Sequence, residues 1–298
     1  MKPPPEPIPG DTLVRTLSLD GSIAVRAIIA SGLVGYAASR HGAAPTASAA
    51  LGRTLMGTLL MAAEAGPDET LQVQLRGDGP LGSVTVIASS DATVRGFVGN
   101  PAAHPPCHDG KLDVGAAVGK GILAVVRHHP SWREPYSGIV PLESGEVAED
   151  LVRYLLESEQ KASAMALGVF VGSDGSVDAA GGFLVQALPG ARDESLAVLE
   201  SNVRSLPSPT EMIRAGIDVD AMLDRLLDGL GARERHRIAP CFHCRCDRDR
   251  VIRAVALLGR EEIDELGRRA ERIEVRCEFC AERYEIEADE VARQMPSA

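Results

Sequence analysis

Six cysteines occur in this chain of 298 residues, and four of them form two close pairs near the C-terminus. Cys244-Arg-Cys246 is followed, after thirty intervening residues (247 to 276), by Cys277-Glu-Phe-Cys280. Two thiol pairs at this separation can converge on one tetrahedral site. A four-thiolate set is a common way to hold structural zinc, because zinc favours soft thiolates and four-coordination. The same four thiols can instead close into two short-range disulfides, which would eject the metal. A site that is stable in both forms can act as a redox switch. Two features favour the switch over a permanently closed structural site. Cys-x-Cys is tighter than the spacing usual in zinc ribbons, and Arg245, Arg248, Arg250 and Arg276 neighbour the thiols in sequence. Positive charge and a helix N-terminus both stabilise thiolate, the form that oxidants attack.

The neighbouring residues leave other ligand sets open. Cys241-x-x-Cys244 is itself a ligand spacing, and a set using Cys241 in place of Cys246 would leave Cys246 free. The set adopted is Cys244, Cys246, Cys277 and Cys280, with Cys241 and His243 as exposed bystanders. Cys107 lies between Pro106 and His108 in a loop, with no identifiable partner. Gly77-x-Gly79-x-x-Gly82 matches the dinucleotide fingerprint, but Pro80 interrupts it and a second strand follows where the phosphate-binding helix should be. It reads as a hairpin turn. No P-loop lysine motif, HExxH or GxSxG occurs, and the histidines lack ligand or triad spacing. No catalytic residue is expected.

Composition bounds what can surround the thiols. Hydrophobic residues make up 45% and aromatic residues only 3%, so the core must be built from Val, Ile, Leu, Ala and Met. The formal net charge of −11 argues against a general nucleic-acid binder and against docking on anionic membranes. The start, Met1 to Gly10, is Pro-rich with no apolar signal region, and the apolar runs are too short to span a bilayer. A cytoplasmic protein is expected, where paired cysteines are more often metal ligands or redox centres than staples.

Residues 12 to about 190 read as one α+β body. Val25–Ala30 reads as a strand, and Ser31–His41 and Thr46–Ala65 as helices. Leu71, Val73 and Leu75 alternate with Gln72, Gln74 and Arg76, the period of a half-buried strand. Further strands are predicted at Ser83–Ala88, Val94–Val98, Ile122–Val126, Tyr136–Pro141, Ala164–Val171 and Gly182–Leu188, with a helix over Val147–Lys161. Segregated strands and helices favour α+β over a parallel α/β sheet. Residues 191–240 contain no aromatic residue, and 16 of the 50 are charged. Leu196, Leu199 and Val203, then Met222, Leu223, Leu226, Leu227 and Leu230, mark two short amphipathic segments split by Pro207 and Pro209, the second with Asp220 as its N-cap. Helices this short need a partner surface, so the region reads as a linker that folds only when docked. Residues 241–298 form a small unit: a helix over Asp247–Leu258 stopped by Gly259, a second over Glu261–Arg268, and a hairpin with the Cys-x-x-Cys knuckle at its tip. So small a unit rarely makes an adequate core unaided, and a metal staple is physically expected.

Nearly the whole chain resembles the 33 kDa chaperonin family, the redox-regulated heat-shock holdases of bacteria. The paired cysteines resemble that family's zinc-binding redox domain. Gln74-Leu-Arg-Gly-Asp-Gly-Pro80, Tyr136-Ser-Gly-Ile-Val-Pro-Leu142 and Ala179-Ala-Gly-Gly-Phe-Leu-Val-Gln186 match family segments of the N-terminal domain. Cys241, His243 and the Pro-rich N-terminus depart from its pattern. The resemblance implies an N-terminal α+β chaperone domain (1–190), a metastable helical linker (191–240) and a C-terminal zinc-binding redox-switch domain (241–298) with a four-cysteine site. It implies an inactive reduced form holding one zinc ion. It also implies that oxidation forms the Cys244–Cys246 and Cys277–Cys280 disulfides, releases zinc and activates an ATP-independent holdase. That holdase would bind unfolded client proteins under heat and oxidative stress, as a homodimer when oxidised. Two other classes remain. A thiol-disulfide oxidoreductase fits Cys277-x-x-Cys280 but lacks the βαβ context of such a site. A zinc-ribbon nucleic-acid module would need a basic surface, and residues 241–298 carry 11 Arg and no Lys against 14 acidic residues.

Overall fold

The computed structural model describes residues 7–269 and 272–294, so Met1–Glu6 of the Pro-rich start lies outside the described residues. The chain divides into two units between Phe242 and His243.

The first unit begins with β1 (Thr12–Leu17) and β2 (Ile23–Ile29), then α1 (Ser31–His41) and α2 (Pro45–Ala62). A meander follows: β3 (Thr70–Gly77), β4 (Ser83–Ser89), β5 (Thr93–Val98), the short α3 (Val114–Val118), β6 (Gly121–His128) and β7 (Tyr136–Pro141). Then come α4 (Ala148–Glu157), β8 (Ser163–Val171) and β9 (Val177–Ala187). The remainder holds α5 (Asp193–Ser205), α6 (Pro209–Arg214), α7 (Val219–Leu226), β10 (His236–Ile238) and β11 (Cys241–Phe242). Two sheets result, with strand orders β10-β1-β2-β9-β8 and β11-β5-β4-β3-β6-β7. This mixture of helix with antiparallel sheet is the α+β class the sequence implies; among the described residues only β11 joins its neighbour β5 in parallel.

Both sheets pack on α2. Pro45 starts it at a position where a missing N–H costs nothing. Nearly every residue from Thr46 to Ala62 is buried, which is why the segment is apolar all round instead of carrying one apolar stripe. Two of the polar exceptions are satisfied within the helix: the Thr54 hydroxyl donates to the Ala50 carbonyl (2.8 Å) and the Thr58 hydroxyl to the Thr54 carbonyl (2.7 Å). In β3 the alternation read from sequence is observed, with Leu71, Val73 and Leu75 buried. The Gly77–Gly82 turn joins β3 to β4, not to a helix. Gly77 and Gly79 serve packing: a β-carbon would meet the Val118 carbonyl oxygen at 1.8 Å and the Ala117 carbonyl oxygen at 2.4 Å, respectively.

The five-stranded sheet is covered on its second face as well. Leu199 of α5, Met212 of α6, and Val219, Met222, Leu223 and Leu226 of α7 share one buried cluster with Val14, Ile23, Val25, Phe183 and Val185 of the sheet. This explains why β2 reads as a nearly continuous apolar run. Its exception, Arg26, is buried but bonded to Glu64 (2.7 Å) and Gln186 (2.5 Å), as a buried cation requires. Sequence reading missed α6, although Ser208-Pro-Thr-Glu211 is a capping box and both reciprocal hydrogen bonds are present. It also placed the N-cap of α7 two residues late. Asp218 caps Ala221 N–H at 2.8 Å, while Asp220 is held by Arg235 (2.9 Å) and Arg237 (2.5 Å).

The second unit holds α8 (Arg248–Val255) with a 3-10 turn over Ala256–Leu258, α9 (Arg260–Arg268), β12 (Ile273–Arg276), β13 (Arg283–Ile286) and α10 (Ala288–Ala292). The strands pair as an antiparallel hairpin. Its core is small: Val251, Ile252, Val255, Ile263, Ile286, Ala288 and Val291 are the buried residues, with Tyr284 and Val275 packed at the margin. Among the described residues, no helix is long and apolar enough to cross a membrane.

Candidate metal centre

Two local structures deliver the thiols. Cys244 and Cys246 lie on the segment leading into α8, whose first turn is capped by Asp247 accepting from Arg250 N–H (2.8 Å). Cys277 and Cys280 lie on the knuckle between β12 and β13. There the Cys277 N–H donates to the Glu282 carbonyl (2.9 Å) and the Ala281 N–H donates to the Cys277 carbonyl (2.8 Å). The knuckle needs a left-handed residue, which Ala281 supplies at φ 56°.

The sulfurs of Cys244, Cys246, Cys277 and Cys280 all lie within 4.8 Å of one another. Cys244 Sγ is 3.8 Å from Cys277 Sγ, and Cys246 Sγ is 3.3 Å from Cys280 Sγ. Metal–sulfur bonds of about 2.3 Å place the corners of a tetrahedron about 3.8 Å apart, so the donor set fits one tetrahedral metal ion. Its electrostatics agree. Hydrogen bonds from Cys244 and then Cys280, aided by the backbone N–H groups of Cys280 and Phe279, hold the Cys277 thiol far below its ordinary value. Cys244 is pushed far above it, first by donating to Cys277, then to Cys280, then by burial. Four thiols this close cannot all ionise without a cation among them, and a divalent metal ion can supply that charge.

The four cysteines singled out in the sequence are therefore the four that come together, and they can hold one metal ion. Cys107 is exposed, in the loop before α3. Cys241 is not an exposed bystander. It is buried in β11, opposite Thr93 of β5, and burial, helped by Asp91, raises its thiol pKa. One of the neighbouring arginines also differs from expectation. Arg248 is turned to Glu290 (2.6 Å) and to the Glu285 carbonyl (2.8 Å), and Arg250 donates to the Arg245 carbonyl (3.1 Å). Hydrogen bonds from sulfur and backbone lead the stabilisation of thiolate at Cys277. One residue was missed. The Tyr284 hydroxyl, on β13, donates to Cys246 Sγ at 3.1 Å. No spacing rule flags a tyrosine four residues beyond the second cysteine pair; the hairpin register brings it there.

Comparison with known proteins agrees with this geometry. The family model described as Hsp33 protein matches residues 11–287. The 33 kDa chaperonin of Geobacter sulfurreducens is 42% identical over 283 residues, covering 95% of this chain and 94% of its own. That of Thermus thermophilus is 41% identical over 291 residues, covering 94% and 85%. The crystal structure of the 33 kDa chaperonin from Thermotoga maritima superposes with a TM-score of 0.89 at 31% identity, covering 95% of this chain and 97% of that one. These relatives are named as chaperones and not as enzymes, and the chain belongs to the Hsp33 family.

Proposed function

We propose that this chain is a redox-gated, ATP-independent holdase that binds unfolding proteins and keeps them from aggregating under heat and oxidative stress. Residues 1–190 act as the chaperone domain, 191–240 as a metastable linker and 241–298 as the redox switch. The observation that carries this reading is the apolar seam beneath α5, α6 and α7, where Leu199, Met222, Leu223 and Leu226 meet Val14, Val25 and Phe183. Lifting the three helices would bare both halves of that seam, and contiguous apolar surface is what captures unfolded chains. At 13, 6 and 8 residues these helices are too short to persist alone.

Cys244, Cys246, Cys277 and Cys280 are the ligands of one zinc ion in the reduced form. Bound there, zinc supplies about 10–16 kcal/mol of folding free energy. That matches the whole stability of a typical domain, about 5–15 kcal/mol. Peroxide converts the thiols into Cys244–Cys246 and Cys277–Cys280 disulfides. Each bridge forms as two thiolates give up two electrons to one peroxide, which takes two protons from solvent and becomes two waters. No thiolate donors then remain, and seven buried apolar residues are too small a core to keep the unit folded. The linker loses its folded C-terminal neighbour in the chain and undocks. Reduction reverses the change. The oxidised form is a homodimer, and the net charge of −11 helps keep its client complexes in solution. A four-thiol site kept reduced belongs in a reducing compartment, the cytoplasm.

Hydrogen exchange tests this directly. Peroxide should strip protection from 191–294, β10 and β11 included, while leaving β1 to β9 protected. Unchanged protection across 191–294 would contradict it.

A further inference from the structure

Each of the four sulfurs accepts a hydrogen bond. The Cys246 N–H donates to Cys244, the Phe279 and Cys280 N–H groups to Cys277, and the Glu282 N–H to Cys280. These donors belong to the backbone and are fixed by the knuckle and the turn into α8. Cys246 Sγ accepts from a side chain, the Tyr284 hydroxyl at 3.1 Å. Tyr284 is set for this from two sides. Its backbone is paired opposite Val275 in the hairpin, and its ring packs at the margin of the small core with Val275 and Ile273. The hydroxyl therefore has little freedom to leave the sulfur. Cys246 is also less buried than Cys244 and Cys280, so a small oxidant can reach it.

A hydrogen bond to a thiolate draws charge from sulfur. It steadies the anion as a metal ligand and makes it a poorer nucleophile. We propose that Tyr284 is a positioning residue that sets the peroxide threshold of the switch, holding Cys246 as a ligand and slowing its attack on peroxide. This deepens the redox reading above and rests on it. The step restrained is attack of the Cys246 thiolate on peroxide. An S–O bond forms as the O–O bond breaks, sulfur loses two electrons to give a sulfenic acid, and the departing hydroxide takes up a proton to become water.

Tyr284→Phe removes the hydroxyl and keeps the ring, so it separates the hydrogen bond from the packing. Three readouts decide. Hydrogen exchange over 248–294 in the reduced, zinc-loaded protein should match the parent. Zinc transfer to a chromogenic chelator without oxidant should be about 10-fold faster, the lower end for loss of a partner to a metal ligand. At limiting peroxide, sulfenic-acid trapping followed by mass spectrometry should find more label on Cys246 than in the parent. In a Cys246→Ala background the same substitution should leave sulfenic-acid labelling of Cys277 and Cys280 unchanged, because Tyr284 acts through the Cys246 sulfur. Equal transfer and equal labelling with and without the hydroxyl would overturn the proposal, as would raised labelling of Cys277 and Cys280 in the Cys246→Ala background. A parent that binds no zinc would instead defeat the redox reading. Iodoacetamide labelling of Cys246 in the reduced, metal-free proteins would then still decide for or against the role of Tyr284.

Discussion

Gly168 of β8 lies directly beneath Thr210 of α6: a β-carbon on Gly168 would stand 2.8 Å from Thr210 Cγ2 and 3.3 Å from the Thr210 backbone nitrogen. The atoms nearest that point all belong to Thr210 and Pro209 of the linker. Gly168→Val should therefore push α6 off the sheet without disturbing the strands, at a cost of about 1–3 kcal/mol from overpacking. The reduced variant should bind a hydrophobic dye and lose hydrogen-exchange protection over 206–227. Parent-like protection there would show that α6 does not need the gap.

Leu223 is fully buried between α7 and the five-stranded sheet. Leu223→Ala should weaken docking by about 2–5 kcal/mol. If the linker is the gate, the reduced variant suppresses client aggregation without oxidant, and chemical denaturation gains an early transition. Loss of stability with no gain in holding activity would separate α7 from the gate.

The ligand set predicts a pattern across five serine variants. Cys244→Ser, Cys246→Ser, Cys277→Ser and Cys280→Ser should each lower zinc stoichiometry, and Cys241→Ser should not, because Cys241 sits in β11. Metal analysis of the purified variants checks this. Chelation of zinc from the parent should unfold the second unit while the sheets of the first stay protected.

Several of these residues are legible in the sequence and others are not. The two cysteine pairs, the helix over Ser31–His41 and the strand over Tyr136–Pro141 emerge from local signals, because spacing, periodicity and flanking turns are written within a few residues. The strands β10 and β11 are not legible: three residues and two residues carry no period, and they exist because β1 and β5 offer open edges. Tyr284 is hidden for the same reason, since its meeting with Cys246 spans 38 residues and depends on hairpin register. Arg248 misled because sequence proximity to a thiol does not fix where a long guanidinium points; Glu290 takes it.

A pH dependence follows from the charges that tie the first unit together. Burial pushes Glu64 up, but Arg26, Lys161 and Arg127 outweigh it and hold its carboxyl below the ordinary value. A depressed carboxyl contributes stability above the unfolded-state value, about 4.3, and loses it as pH falls through the folded value. The denaturant midpoint of the full chain should therefore fall between about pH 6 and about pH 3.5. In Glu64→Gln the midpoint should be lower at the upper pH and decline less. An equally steep decline in the variant would assign the effect to other carboxylates.

The most direct test of a redox-gated holdase is light scattering from a heat-unfolding client, in the presence of this protein either reduced and zinc-loaded or oxidised by peroxide. The account predicts suppression of scattering by the oxidised form, none by the reduced form, and its loss again on reduction with zinc. Equal suppression by both forms would contradict the gate and leave a chaperone whose four cysteines are structural.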